Sequence, residues 1–294
     1  MRETHSAAMR LAQGLGFERI AWSLRRLHCP VDDSALVLEV GSGGNPYPRA
    51  NVLLDAYEAT RERHWVPLTV DRPTVLGFVE ALPFRDQAFD FVIASHVLEH
   101  SADPARFLGE LQRVAKAGYI EVPDAFMERV NPYHDHRLEI TTREGRLVIR
   151  KKPDWRADPE VVELYEHRAK PLVAGQLIPT HPFEFHVRYY WESKIAFTVV
   201  NPEVRADWQP PAGASAGHTA PLRTGWRGTA LNALRAILSP TQRNKGIDLT
   251  GLLQCPACGG HSLTRQASSL TCNACHAEYP VKNGVPAMYP KASD

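Results

Sequence analysis

Four cysteines restrict this chain more than any other feature. Cys255-Pro-Ala-Cys258 and Cys272-Asn-Ala-Cys275 are separated by thirteen residues, and of the five cysteines only Cys29 lies elsewhere. Each Cys-x-x-Cys turn aims two thiolates at one centre, and two such turns close a tetrahedral four-thiolate shell. This clustering points to a metal in a reducing compartment rather than to a disulfide framework; a redox dithiol or free thiols are the alternatives. A closed shell leaves no position for substrate. The expectation is therefore a structural Zn2+ on Cys255, Cys258, Cys272 and Cys275. A module of roughly 40 residues cannot bury an adequate core alone, so the ion would supply the missing folding energy.

The other residues read as an ordinary globular chain. Of 294 residues, 44% are apolar and 23% charged, which excludes wholesale disorder. A net charge of +1 gives no global reason to bind nucleic acid. No apolar run approaches the roughly 18 residues of a spanning helix, and the N-terminus lacks a signal-peptide core. A cytoplasmic location is expected.

Apolar strands alternate with helical stretches. Ala35–Val40 runs into Gly41-Ser-Gly-Gly-Asn-Pro46, and Asn51–Asp55 follows. Val75–Val79, Phe89–Ser95 and Tyr119–Val122 are further apolar segments. Asp103-Pro104 opens a helix as N-cap and first helical residue, and Phe107, Leu108, Leu111 and Val114 form its apolar face. This alternation predicts an α/β fold with a largely parallel sheet. In the lead-in, Phe17, Ile20, Ala21, Leu24 and Leu27 recur at helical spacing. Leu138–Thr142 and Arg146–Lys152 read as a hairpin, residues 153–186 as an insertion rich in proline and histidine, and Val187–Trp191 and Ile195–Val200 as last strands of the main sheet.

Glycines at Glu39-x-Gly41-x-Gly43 let a ligand approach the backbone, and an acid ending the next strand, Asp55, can accept from ribose hydroxyls. Pro46 stands where a dinucleotide motif wants its last glycine, and Val52 follows Gly43 by only nine positions. A cofactor without a phosphate fits better than a dinucleotide. With Glu80-Ala-Leu-Pro-Phe84, Phe89-Asp-Phe-Val-Ile93 and Ser95-His-Val-Leu-Glu-His100 following in order, residues 35–123 resemble the class I S-adenosylmethionine-dependent methyltransferases of the small-molecule type. The resemblance implies a Rossmann-like, mostly parallel sheet with helices on both faces. It places Glu39, Gly41 and Gly43 around the methionine part of the cofactor, Asp55 at the ribose, Glu80 and Ala81 near the adenine, and Ser95 and His96 on the pocket floor. Two positions depart from the pattern: Phe78 replaces an acid that holds the adenine amino group, and Asn45 replaces a third glycine.

Methyl transfer needs a base only if the acceptor must lose a proton early. The candidates are His96, beside the expected cofactor pocket, and His134, His136, His181 and His186 in the segment that would cover it. His100 reads as structural. His134, Asp135 and His136 with His181 and His186 could also serve a divalent metal or simply shape a polar pocket.

Leu252–Cys258 with Tyr279-Pro-Val-Lys-Asn-Gly-Val-Pro286 resembles the zinc-ribbon activator subunit of tRNA and release-factor methyltransferases. That resemblance implies a module docked in cis that stabilises the catalytic domain, with Tyr279, Val281, Val285 and Met288 packed upon it. The expected layout is a methyltransferase domain over 1–202 with an insertion near 124–186, a linker over 203–248, and the zinc ribbon over 249–294. Arg223, Arg227, Arg235, Arg243 and Lys245 accompany an apolar stripe of Trp226, Leu231, Leu234 and Leu238. Such a helix could touch an anionic membrane or RNA, or dock on its own domain. The expected acceptor is a small-molecule or glycan-type hydroxyl. A tRNA or translation factor is the alternative substrate, and a non-catalytic adaptor the alternative of another class.

Overall fold

A computed structural model gives the fold and describes residues 4–60, 65–130, 132–156, 158–209, 244 and 246–290. Apart from Asn244, the basic helix expected at 223–245 lies outside them. Contacts divide the chain into two compact units. The glycine-turn unit comprises residues 31–93, 106–118 and 217–294; the histidine unit comprises residues 1–30, 94–105 and 119–216.

The principal sheet uses β1 (Val37–Val40), β2 (Val52–Asp55), β3 (Thr74–Leu76), β4 (Phe91–Ser95), β5 (Ala117–Pro123) and β8 (His186–Glu192). Its order is β3-β2-β1-β4-β5-β8. In the glycine-turn unit, β1 pairs parallel to β2 with Leu38 opposite Val52, and β2 parallel to β3 with Leu53 opposite Thr74. Every residue of these three strands is buried, which is why they read as unbroken apolar runs and not as alternating ones. Phe84 and Phe89 meet edge to face at 5.0 Å in the same unit. Helix α3 (Pro104–Val114) starts at its proline, as the Asp103-Pro104 pair predicts, and buries Phe107, Leu108, Leu111 and Val114.

The glycine-turn unit also holds the C-terminal module. A short helix, Leu249–Leu252, leads into the cysteines, and four antiparallel strands follow in the order β10 (Leu263–Arg265), β11 (Ser269–Cys272), β12 (Glu278–Lys282), β13 (Val285–Pro286). The module is stitched to its neighbours by backbone. Leu253 bridges Phe84, with the Arg85 N–H donating to Leu252 O at 3.0 Å and the Gln254 N–H to Pro83 O at 3.1 Å. Ala287 bridges Leu76, and the Met288 N–H donates to Leu76 O at 2.8 Å. Leu253 and Met288 are fully buried, each worth about 1.5–3 kcal/mol of apolar burial. Tyr279 is buried, and its hydroxyl lies 3.1 Å from Cys255 Sγ, so it also closes over the cysteine site.

In the histidine unit, α1 (Ala7–Gly14) is capped by Ser6, whose hydroxyl accepts from the Met9 N–H, and α2 (Glu18–Leu24) follows. The helical stripe of the lead-in is only partly used. Ala21 is buried, but Phe17, Ile20 and Leu27 are exposed, because a periodic pattern marks a face without saying what covers it. After β5 come α4 (Ala125–Val130) and the expected hairpin of β6 (Leu138–Arg143) and β7 (Arg146–Lys151). The insertion is helical over 159–180, starting at α5 (Pro159–Leu164) and loosened by π-helical turns at Tyr165–Ala169 and Val173–Leu177. β8 joins the principal sheet as expected. β9 (Phe197–Val199) does not; it pairs parallel to β7, with Val148 opposite Thr198.

Candidate functional site

The loop leaving β1 turns on glycine. Gly41 and Gly43 have φ of 64° and 57°, the left-handed region in which a β-carbon is strained. The turn is closed from β2: the Gly43 N–H donates to Asp55 Oδ2 at 2.9 Å, and the Tyr57 N–H to Asp55 Oδ1 at 3.1 Å. Glu39, buried on β1, accepts from the Tyr47 N–H at 2.7 Å. Gly44 adds a requirement that the motif did not reveal. A β-carbon there would lie 2.5 Å from Val66 Cγ1 and 2.9 Å from Pro67 O. Ser42 Oγ, inside the turn, is buried without a hydrogen-bond partner. A glycine turn carrying an orphaned hydroxyl, with carboxylates on either side, fits the polar amino-acid end and ribose of S-adenosylmethionine.

Phe78 is partly exposed and meets Tyr289 at 5.1 Å and Tyr57 at 6.1 Å. An aromatic cluster thus stands where the acidic adenine ligand was missing, and Tyr289, from beyond β13, is part of it. The Tyr289 hydroxyl donates to Ala56 O at 2.7 Å. Glu80 and Ala81 lie on the turn after Phe78, half-buried.

The histidine unit is organised by a carboxylate that sequence reasoning missed. Glu121 on β5 is fully buried and takes two hydrogen bonds from Arg25, a third from Tyr119 and a fourth from Ser95 Oγ at 3.2 Å. The sequence signal was a lone acid inside the apolar strand Tyr119-Ile-Glu-Val122. His96 follows β4 directly, in the left-handed region with φ 57°. Its Nε2 is 3.5 Å from Glu121 Oε1 and its Nδ1 3.4 Å from Glu99 Oε1. Burial pulls the His96 pKa down, but Glu121 and Glu99 outweigh it and raise it to about 9, so the ring is cationic at neutral pH.

His186 has the opposite character. Its ring stands 5.6 Å from that of His96, and its Nδ1 donates to Pro182 O at 2.8 Å. Burial, aided by the charge of His96, lowers its pKa below the usual imidazole value against the raising effect of that carbonyl. Neutral, with Nδ1 engaged, it keeps a lone pair on Nε2. The other candidates separate. His181 is exposed, and His134 packs on Trp155 at 4.9 Å. His136 leaves this pair for a different cluster: its Nδ1 is 2.7 Å from Glu128 Oε2, and its ring lies 4.8 Å from that of His100.

The cysteines converge as their spacing predicts. Cys255 Sγ lies 3.6 Å from Cys275 Sγ, Cys258 Sγ 3.6 Å from Cys272 Sγ, and all four sulfurs are within 4.8 Å of one another. Four thiolates about 2.3 Å from a central zinc would stand about 3.8 Å apart, so the donor set and its size fit that ion.

Comparison with known proteins finds matches in two parts of the chain. Residues 49–120 match the methyltransferase-domain family, and residues 247–284 match the Trm112p-like family. The chain is 29% identical over 154 residues to an uncharacterized methyltransferase of Mycobacterium leprae, covering 49% of this chain and 53% of that one. Over 91 residues it is 35% identical to the ubiquinone/menaquinone biosynthesis C-methyltransferase of Xanthomonas oryzae, covering 27% and 36%. The chain thus spans about half, or less, of the length of these curated relatives. Among solved structures, a complex of the Haloferax volcanii Trm112 methyltransferase activator with a methyltransferase aligns at 19% identity and a TM-score of 0.29, covering 46% of this chain and 75% of that one. An S-adenosylmethionine-dependent methyltransferase of Mesorhizobium loti aligns at 14% identity and a TM-score of 0.31, covering 55% and 80%. No helix among the described residues is long and apolar enough to cross a membrane.

Proposed function

We propose that this chain is an S-adenosylmethionine-dependent methyltransferase acting on a hydroxyl of a small-molecule or glycan-type acceptor, its catalytic domain stabilised by a structural zinc ribbon. The observation that carries the cofactor reading is the left-handed turn at Gly41–Gly43, closed by Asp55 from the segment, residues 49–120, that matches the methyltransferase-domain family. S-adenosylmethionine, when bound, supplies a methyl group already activated on a sulfonium. In this reading the backbone at Gly41 and Gly43, with Ser42, receives its amino-acid end. Asp55 faces the ribose, and the aromatic ring of Phe78 packs at the adenine.

A hydroxyl must shed its proton as it becomes a nucleophile. His186 is the residue of the histidine unit suited to take it, because it is neutral with Nε2 available. His96, held cationic by Glu121 and Glu99, supports an electrostatic role toward an electron-rich acceptor and not that of a base. His134, His136 and His181 drop behind His186 as candidates. The Trm112p-like module favours one second reading, a tRNA or translation-factor acceptor.

Calorimetric titration of the full chain with S-adenosylmethionine tests the enzyme reading, and failure to bind leaves the adaptor. Incubation with methyl-labelled cofactor then separates acceptors: label in sugar or lipid-linked sugar hydroxyls supports the first reading, and label in tRNA or release factor the second.

A further inference from the structure

A second group of metal-ligating side chains belongs to the histidine unit. Glu99, His100 and His136 bring one ligand atom each to within 4.8 Å of one another. Sequence spacing does not predict the set, because the third member comes from the loop before β6.

Three features distinguish it from an ordinary polar cluster. First, Glu99 is 2% exposed, and neither carboxylate oxygen accepts a hydrogen bond; the nearest cation is His96, whose Nδ1 is 3.4 Å from Oε1. A carboxylate so deeply buried calls for compensating charge or hydrogen bonds. Second, both imidazoles are already oriented by their other nitrogen. His100 Nδ1 donates to Asp135 O at 3.0 Å, and His136 Nδ1 donates to Glu128 Oε2 at 2.7 Å, which directs both Nε2 lone pairs elsewhere. A ring nitrogen bonded to a carbonyl or carboxylate is the usual support behind a metal-bound histidine. Third, that support is itself fixed: Glu128 is buried and also takes Lys152 Nζ at 2.6 Å and the Tyr133 N–H at 3.0 Å. The His100 and His136 rings meet nearly perpendicular, at 87°.

We propose that Glu99, His100 and His136 bind one divalent cation of the zinc or cobalt type, through a Glu99 oxygen and the two Nε2 atoms. Two imidazoles and one carboxylate suit such ions better than magnesium or calcium. Three protein ligands leave at least one position for water or for an oxygen of a bound molecule, unlike the closed shell of four cysteines. The site is independent of whether the acceptor is a glycan.

The test is titration of the full chain, purified with zinc on its cysteines, with Co2+. The expected result is one equivalent bound with ligand-field bands but no thiolate-to-cobalt charge transfer, which would mark exchange at the cysteine site. His136→Ala and His100→Ala should lose that equivalent while keeping one zinc per chain. Glu99→Gln preserves shape and should lose it too. Glu128→Gln should weaken it about 10- to 100-fold by freeing the His136 ring. The retained zinc and an unchanged circular dichroism spectrum report folding. If an alanine variant fails to fold, the two glutamine variants decide. Absence of a cobalt signal in the parent, or parent-like binding in the folded variants, overturns the proposal.

Discussion

Arg25 and Glu121 are joined by two hydrogen bonds, Nε to Oε2 at 2.7 Å and Nη2 to Oε1 at 2.8 Å, across 96 residues of sequence. Both are buried, and Arg25 also lies over the Trp22 ring at 3.6 Å. Removing one partner leaves the other charge buried without its forked counterpart. Arg25→Ala should therefore lower unfolding stability by about 3–5 kcal/mol, measured by denaturant titration. Arg25→Lys, which cannot make the forked contact, should recover only part of it.

The glycine turn yields a second expectation. Gly41→Val puts a β-branched residue at φ 64° where the backbone would meet the ligand. It should abolish S-adenosylmethionine binding in a calorimetric titration. Asp55→Ala removes the acceptor of the Gly43 and Tyr57 N–H groups and should cost about 1.5–3 kcal/mol of affinity. Gly44→Ala should act on stability, because its new methyl meets Val66 and Pro67; about 1–3 kcal/mol is expected. Parent-like cofactor affinity in both Gly41→Val and Asp55→Ala would mean the site lies elsewhere.

His186 carries the pH dependence. Its pKa is lowered from 6.5, so it is neutral at pH 7 and gains its proton only as the pH falls below 6.5. A base acting through Nε2 should therefore give turnover that is flat at neutral pH and declines in acid, with a midpoint below 6.5. The same sign applies to folding: a depressed histidine contributes stability above its unfolded pKa and loses it as pH falls through the folded one. His186→Ala should reduce kcat and leave cofactor affinity intact. Unchanged kcat would remove it from the chemistry.

Much of this arrangement was legible in the chain. Strands buried on both faces appear as apolar runs, so β1, β2, β4 and β5 were foreseen, and cysteine spacing alone assembled the four thiolates. What escaped notice depends on contacts between distant segments. Arg25 sits in a helical stretch where an arginine reads as solvated, and nothing local pairs it with Glu121. Ile195–Val200 has the composition of a sheet strand, but composition does not say which sheet; β9 went to β7. The histidines could be counted but not sorted, because what separates His96 from His186 is the carboxylates near one and the carbonyl near the other.

The cysteine module supplies a fourth expectation. Leu253 and Met288 are buried and tied by backbone to Phe84 and Leu76, so the module's fold and that of its neighbours are coupled. Cys272→Ser should lose the zinc and lower the melting temperature of the full chain, not merely unfold the tail. Differential scanning calorimetry with and without a chelator reads this. A main transition that stays in place after zinc loss would rule out the coupling.

The bridge between Leu76 and Ala287 has one more consequence. β3 is the outermost strand on its side of the principal sheet. Such a strand offers unpaired N–H and C=O groups to any extended segment that meets it, including the same strand of another molecule. Here Ala287 and Met288 occupy that rim, with the Met288 N–H donating to Leu76 O at 2.8 Å. The C-terminal module thus fills, at Leu76, a pairing position that the outer edge of the sheet would otherwise leave open to another extended segment.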